Sequence, residues 1–385
     1  MRLRRPSSDE PMLPDWGHST LAEVLPSIGA HLGVRDAGVP ALHLPPSHRW
    51  VVVMVDGLGH DLLRQHMAIA PYFADLFGDG QEITATVPST TATSLTSLGS
   101  GTAPGRHGIV GYSFRDQAGG KVFNALTWDT EAVPEEVQPS PTWFEKACGC
   151  EATCTGVVPE RFRDSGLTRA ALRGQVVSGL VDEADEQDRI DRVVAASRDG
   201  RRSLVYVYER MLDHTGHSLG IQHPAWRQQL TRIDDWVARL RGALDDDVVL
   251  LITGDHGMLD IPLDRRILVQ DHPELMRGVT ALAGEGRFRQ LYADHPADVA
   301  ARWTDFLGER AWVRTREQAI EQSWFGPNVT PQAAQRIGDV VAAMRDDWAV
   351  MSKDLPRELA LVGMHGSLTP AEMVVPLLVD APEHY

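Results

Sequence analysis

A chain of 385 residues exceeds the usual single hydrophobic core, and its 43% hydrophobic and 23% charged residues describe an ordinary globular protein, not a disordered or fibrous one. A formal charge of −16 argues against a DNA or RNA polymer as partner, because phosphate-backbone binding is led by Lys and Arg; a small phosphate ligand stays open if metal ions supply positive charge. No stretch reaches membrane-spanning length and Met1 to Pro14 has no apolar centre of an export signal, so we expect a cytoplasmic protein without a membrane partner, its oligomeric state left open.

Residues 1–46 read as a Pro-containing arm with one amphipathic helix around Leu21 to Leu32. Val51 to Val55 is a β-branched apolar run of the kind buried on both faces of a parallel sheet, and Asp56 stands at its carboxyl end, followed by Gly57 and Gly59. Ligands of open α/β sheets bind at that end, so Asp56 is either placed for chemistry or caps the following helix. Asp61 to Phe77 carries Leu62, Leu63, Met67, Phe73 and Leu76 at helical spacing. Thr84 to Pro88 reads as a short strand, and Ser89, Thr90 and Thr91 form a hydroxyl-rich entry to a helix carrying Ala92, Leu95 and Leu98. Hydroxyls there face the unpaired amides of a helix N-terminus, which serve both as cap partners and as an anion site.

Further on, Lys121 to Trp128 reads as a strand, Pro141 to Cys148 as a helix, and Thr153 to Val158 as the next strand. Cys148, Cys150 and Cys154 lack a fourth zinc ligand at suitable spacing and are expected to be buried free thiols at a helix-to-strand turn. Asp182 to Ser197 and Pro224 to Leu244 read as helices; Ser203 to Tyr208 and Asp247 to Ile252 read as apolar strands. This alternation predicts an α/β fold, a mostly parallel central sheet with helices on both faces. In the segment 261–356 we read strands at Arg287 to Tyr292 and Ala311 to Arg314, and helices at Pro296 to Leu307 and Pro331 to Met344. It is taken as an inserted α+β lobe between core segments 47–260 and 357–385.

Each later strand is followed by chemistry-bearing residues. Asp213 and His217, in DHTGH, are four apart, so one helical turn would put carboxylate and imidazole on a common face able to grip one metal. Asp255 and His256 follow VVLLITG, and His365 lies between Gly363 and Gly366. Taken singly, these residues also read as a helix cap, a turn acid and a surface-loop His.

Together, VVVMVDGLGHD, TSLGSGTAPGRHGIVGY, DHTGH, TGDHGM and GMHG resemble, in order and spacing, the alkaline phosphatase superfamily, most closely its type I phosphodiesterase and nucleotide pyrophosphatase branch. The resemblance covers Trp50 to about Val379, with little signature between His256 and His365. It implies an alkaline-phosphatase-like fold with two divalent metal ions. One would be held by Asp56, Asp255, His256 and the nucleophile, the other by Asp213, His217 and His365. The attacking hydroxyl of the superfamily lies ten residues before a Gly that matches Gly101, which selects Thr91 over its neighbour Thr90. His107 would be structural.

The resemblance thus implies hydrolysis of a phosphodiester or pyrophosphate bond in a small nucleotide-like substrate through a phosphothreonine intermediate. Mixed Asp/His ligation suits Zn²⁺, with Mn²⁺ the alternative. The branch carries an Asn that contacts phosphate five places after the His of its His-Gly pair; here that place holds Tyr112, our candidate substrate contact. Rival readings on the same frame are a phosphomonoesterase, a phosphonate hydrolase or a non-catalytic metal- or nucleotide-binding regulator.

Overall fold

The apolar run after Arg49 forms the centre of the molecule. In the computed structural model, which describes residues 2–7, 9–116 and 120–381, it is the strand Arg49–Val55, and Trp50 to Val55 are all fully buried. The last four positions assigned to the core, 382–385, lie outside the described residues. Side chains alternate across the sheet, so Val51, Val53 and Val55 enter one hydrophobic cluster while Trp50, Val52 and Met54 enter the other. Both faces are therefore covered, as a continuous apolar strand requires.

Seven strands form the sheet, in the order Gln81–Thr84, Val374–Asp380, Val248–Gly254, Arg49–Val55, Ser203–Glu209, Thr153–Pro159, Val176–Leu180. Arg49–Val55 pairs in parallel with Ser203–Glu209 and Val248–Gly254, Val51 lying beside Val205 and Leu250. Val374–Asp380 runs antiparallel to both its neighbours and makes the sheet mixed, though mostly parallel. Neither it nor the edge strand Val176–Leu180 was among the expected strands. The fold class is as expected: an α/β protein whose central sheet carries helices on both faces, with smaller sheets added.

Between Val248–Gly254 and the short strand Gly363–Met364 the chain builds a four-stranded antiparallel sheet, ordered Val279–Glu285, Phe288–Ala293, Val340–Met344, Ala311–Thr315. The helix Pro296–Leu307 packs Val299 and Trp303 onto it. Residues ahead of the first strand are equally committed: Leu21, Val24 and Ile28 are fully buried, and Met12 donates its amide to Leu368 O at 2.8 Å.

Several expected elements differ. Pro331 to Met344 is not one helix: it stops at Arg336, and Val340–Met344 is a fully buried inner strand. Pairing with Phe288–Ala293 and Ala311–Thr315 overrides a local pattern that fits either state. Asp61 to Phe77 breaks into His60–Gln65, a 3-10 turn and Pro71–Phe77, because Pro71 disfavours helical backbone at Ala70, which sits at φ −134°, ψ 66°. The strand near Lys121 is only Val122–Asn124, ended where the Asn124 side chain accepts from the amides of Leu126 and Thr127. Thr84 closes its strand instead of opening one. Of the three free thiols only Cys154 is buried; Cys148 is exposed and donates to Gly174 O at 3.2 Å. Among the described residues no helix is long and apolar enough to cross a membrane.

Candidate metal and catalytic centre

Three adjacent parallel strands deliver most of the site at their carboxyl ends. Asp56 follows Arg49–Val55, Asp255 and His256 follow Val248–Gly254, and the helix Met211–Leu219, carrying Asp213 and His217, follows Ser203–Glu209. His365 arrives after Gly363–Met364, which pairs with Leu259–Asp260. Gly57 makes the turn after Asp56 with φ +77°, and a Cβ on it would lie 3.1 Å from Asp213 Cβ, so glycine lets backbone approach ligand here without strain.

The six candidate ligands form two groups. Asp56, Asp255 and His256 converge in one, and Asp213, His217 and His365 in the other, each with its ligand atoms within 4.8 Å of one another. In the first, His256 Nε2 lies 3.3 Å from Asp56 Oδ1 and 3.5 Å from Asp255 Oδ2. In the second, His217 Nε2 lies 3.4 Å from Asp213 Oδ1 and 3.3 Å from His365 Nε2. The His256 and His365 rings stack with centroids 3.5 Å apart, which sets the groups side by side.

Each histidine is oriented from behind. Nδ1 of His256 faces Gly257 O at 2.9 Å, that of His217 faces Gly363 O at 2.7 Å, and that of His365 faces Ser89 O at 2.9 Å. A carbonyl only accepts, so each Nδ1 carries the proton and each Nε2 presents its lone pair to the centre, the usual support of a metal-binding imidazole. Asp255 Oδ1 accepts from the amides of Gly57 and His256, both at 3.0 Å, and Tyr208 donates its hydroxyl to Asp56 Oδ2. The other oxygens, Asp56 Oδ1, Asp213 Oδ1 and Asp255 Oδ2, are buried with no hydrogen-bond partner. Three orphaned carboxylate oxygens facing imidazole lone pairs fit two cations.

The electrostatics agree. Burial, reinforced by neighbouring acids, pushes Asp213 and Asp255 up to about 7 and raises Asp56 as well. Burial opposes a charge on His256, but Asp255 and Asp56 outweigh it and lift the imidazole to about 10, so without a cation Nε2 also holds a proton, which a metal ion there would displace to reach the lone pair. Burial lowers His217 and, more strongly, His365. Such a set cannot be fully ionised on its own, and bound cations would resolve the conflict.

Thr91 is the first residue of the helix Thr91–Ser100 and is buried, with Oγ1 3.3 Å from His256 Nε2. Ser94 Oγ donates to Asp255 O at 2.7 Å and ties this helix to the ligand loop. Thr90 occupies the N-cap position, yet its side chain does not cap; it reaches Glu285 Oε2 at 3.4 Å. His107 accepts from the Ile109 amide at Nδ1 and meets Ser97 Oγ at Nε2, and burial pushes it down to about 3, so it stays neutral inside the fold.

A cavity of about 440 Å³ opens over the site. Tyr112 lines it, as do Thr90, Thr91, Asp56, Asp213, His217 and His365. Leu95, Val158, Phe162, Leu167 and Leu172 form an apolar wall, and Glu285 and Arg357 also line the cavity. Arg106 lies elsewhere, in a depression with Trp16 and Asn328. Sequence reasoning missed Tyr208, Glu285, Arg357 and the apolar wall. Tyr208 could have been found, since it stands one residue before the end of the strand that leads into DHTGH. The others come from distant segments that carry no local signal.

The family model for type I phosphodiesterase / nucleotide pyrophosphatase matches residues 50–368. The chain belongs to this family, within the alkaline phosphatase superfamily. Human ectonucleotide pyrophosphatase/phosphodiesterase family member 7 is 30% identical over 154 residues, 38% of this chain and 32% of that protein. GPI ethanolamine phosphate transferase 3 of Schizosaccharomyces pombe is 36% identical over 61 residues, 16% of this chain and 7% of that protein. The matches thus span a third or less of these curated relatives. Among solved structures, murine ectonucleotide pyrophosphatase / phosphodiesterase 5 superposes with TM-score 0.68 at 19% identity, covering 87% of this chain and 88% of that one. An inactive variant of it in complex with AMP gives TM-score 0.67 over the same shares, also at 19% identity. At this identity the likeness shows the fold.

Proposed function

We propose that the chain hydrolyses phosphodiester or pyrophosphate bonds in a small, nucleotide-like substrate, with Thr91 as nucleophile and two divalent cations, Zn²⁺ or Mn²⁺, as cofactors. The observation that carries this reading is the place of Thr91 Oγ1, 3.3 Å from His256 Nε2 and in one cleft with both ligand groups. Bound divalent cations supply positive charge to phosphate oxygens and lower the pKa of hydroxyl groups. Asp56, Asp255 and His256 would hold one, and Asp213, His217 and His365 the other.

Thr91 gives up its proton and its oxygen attacks phosphorus as the bond to the leaving group breaks. The leaving oxygen departs with a proton, and the phosphoryl group stays on Thr91 as an ester. Water then attacks phosphorus, one of its protons returns to the departing Thr91 oxygen, and the phosphomonoester that keeps the second substituent is released. Unpaired amides of the first turn of Thr91–Ser100 add dipolar stabilisation of the phosphoryl oxygens. The apolar wall from Leu95 to Leu172 suits the base or another apolar part of a substituent. Support for a nucleotide comes from the AMP complex of the murine relative.

The test is turnover of bis(p-nitrophenyl) phosphate by metal-loaded protein. We expect saturable release of nitrophenol that a chelator abolishes and added Zn²⁺ or Mn²⁺ restores. Failure of metal-loaded protein to cleave any member of a panel of diesters and dinucleoside pyrophosphates would refute the reading.

A further inference from the structure

The helix Trp143–Cys148 and the strand Thr153–Pro159 are joined by a short turn, and each side of it carries a thiol that neither the metal groups nor the cavity uses. Cys148 is the last residue of the helix and is exposed; Cys154 is the second residue of the strand and is buried. The turn is stitched at Ala147, whose carbonyl accepts from the amides of Cys150 at 2.9 Å and Ala152 at 3.2 Å. The strand therefore starts against the helix end.

Two contacts fix where the sulfurs stand. Cys154 Sγ donates to Phe144 O at 3.5 Å, the carbonyl that the Cys148 amide faces one helical turn further on. Cys148 Sγ donates to Gly174 O at 3.2 Å, and Thr155 pairs with Val176, which sets residues 174 and 175 beside the start of the same strand. Each sulfur thus leans towards the other's element, and the two thiols are in hydrogen-bond contact. Sulfurs so bonded stand under about 4 Å apart and close to about 2 Å in a disulfide, a movement that rotation of the exposed Cys148 side chain supplies.

The pair is chemically unequal. The Cys154 proton holds the Cys148 thiol down to about 7, against burial and Glu145, while the same bond and burial push Cys154 up. Near neutral pH, Cys148 offers a solvent-facing thiolate and Cys154 keeps its proton behind it.

We propose that Cys148 and Cys154 form a reversible thiol–disulfide site for small hydroperoxides, with Cys148 as the attacking sulfur and Cys154 as the resolving one. First, the Cys148 sulfur attacks one peroxide oxygen, the O–O bond breaks, and the other oxygen takes up a proton and leaves as alcohol or water. Next, the Cys154 sulfur attacks the sulfenic acid on Cys148, the S–O bond breaks, and hydroxide departs as water with the Cys154 proton. Two electrons pass from the thiols to the peroxide, and an external dithiol returns them. The new bond ties the helix whose Trp143 lies against Gly101, the C-cap of Thr91–Ser100, to the strand that carries Val158 to the cavity wall.

The experiment uses the full-length protein, reduced, freed of reductant, and exposed near neutral pH to a small molar excess of hydrogen peroxide. Remaining thiols are alkylated after unfolding and followed by intact mass and peptide mapping, a readout independent of phosphodiester cleavage. We expect loss of two of the three alkylatable thiols, a cross-linked Cys148–Cys154 peptide, and full recovery with dithiothreitol. In Cys154→Ser, dimedone should label Cys148 at least about fivefold more than in wild type, because the sulfenic acid has no resolving partner. Cys150→Ser should cross-link like wild type. In the wild-type protein, three free thiols after peroxide, an oxidised Cys148 without a cross-link, or a cross-link that includes Cys150 overturns the proposal without any variant having to fold. Equal dimedone labelling of Cys148 in folded Cys154→Ser and wild type also overturns it.

Discussion

Replacing Thr91 with Ala removes one hydroxyl and one methyl from the first residue of the helix Thr91–Ser100, and the two consequences separate cleanly. The side chain makes no capping bond; its polar contact is the 3.3 Å approach of Oγ1 to His256 Nε2. Loss of one buried methyl costs about 1 kcal/mol, a small share of a typical folding free energy and about 2 °C in Tm for a chain of this size. An essential nucleophile is worth far more: about 10⁴–10⁶-fold in kcat, or about 5.5–8 kcal/mol of barrier at about 1.36 kcal/mol per decade. Initial rates with bis(p-nitrophenyl) phosphate, read beside Tm and metal content per chain, should show activity gone with fold and metal retained. Thr90→Ala, whose hydroxyl meets Glu285 at 3.4 Å, should lose less than about tenfold. If Thr90→Ala were the inactive protein and Thr91→Ala kept more than about one per cent of wild-type turnover, the assignment of the nucleophile would be refuted.

Three further outcomes follow from the same geometry. In chelated protein, the raised Asp213 and Asp255 contribute stability that is full below their unfolded value and lost as pH rises to about 7, while the lowered His217 and His365 cost stability as pH falls below the ordinary imidazole range. Cations displace the carboxyl protons, so the Tm gained on adding Zn²⁺ or Mn²⁺ should grow between about pH 5.5 and about pH 8, and a flat or falling gain in differential scanning would count against cation binding at these groups. Gly57→Ala places a Cβ 3.1 Å from Asp213 Cβ at φ +77°; it should cost about 1–2 kcal/mol and weaken metal binding by about tenfold or more, measured by chelator competition. Among the described residues Arg357 is the only Lys or Arg on the cavity wall, which leaves few cationic donors for a monoester dianion, so kcat/KM should be higher for an aryl phosphodiester than for the leaving-group-matched monoester at fixed Zn²⁺.

The sequence by itself determined the features that depend on short-range pattern. A buried parallel strand must be apolar throughout, so Val51 to Val55 announces itself, and the acid that follows marks the ligand-binding end of the sheet. The i, i+4 spacing of Asp213 and His217 needs only a helix to bring them to one face, and Met211–Leu219 is that helix. The strands that lead to Asp56, Asp213 and Asp255 proved to be neighbours because parallel strands alternating with helices stack side by side. Elements whose state depends on distant partners were not legible. Val340–Met344 became a strand through pairing on both sides, and Val374–Asp380 entered the sheet antiparallel beside Val248–Gly254. Only tertiary structure brought Glu285, about two hundred residues beyond Thr90 in the chain, to that hydroxyl, and turned Tyr208 onto Asp56. It also collected Leu95, Phe162 and Leu172 into one wall. Periodicity encodes which face of an element is apolar, whereas the depth, charge and donor balance of a cleft arise from segments that meet only after the chain has folded.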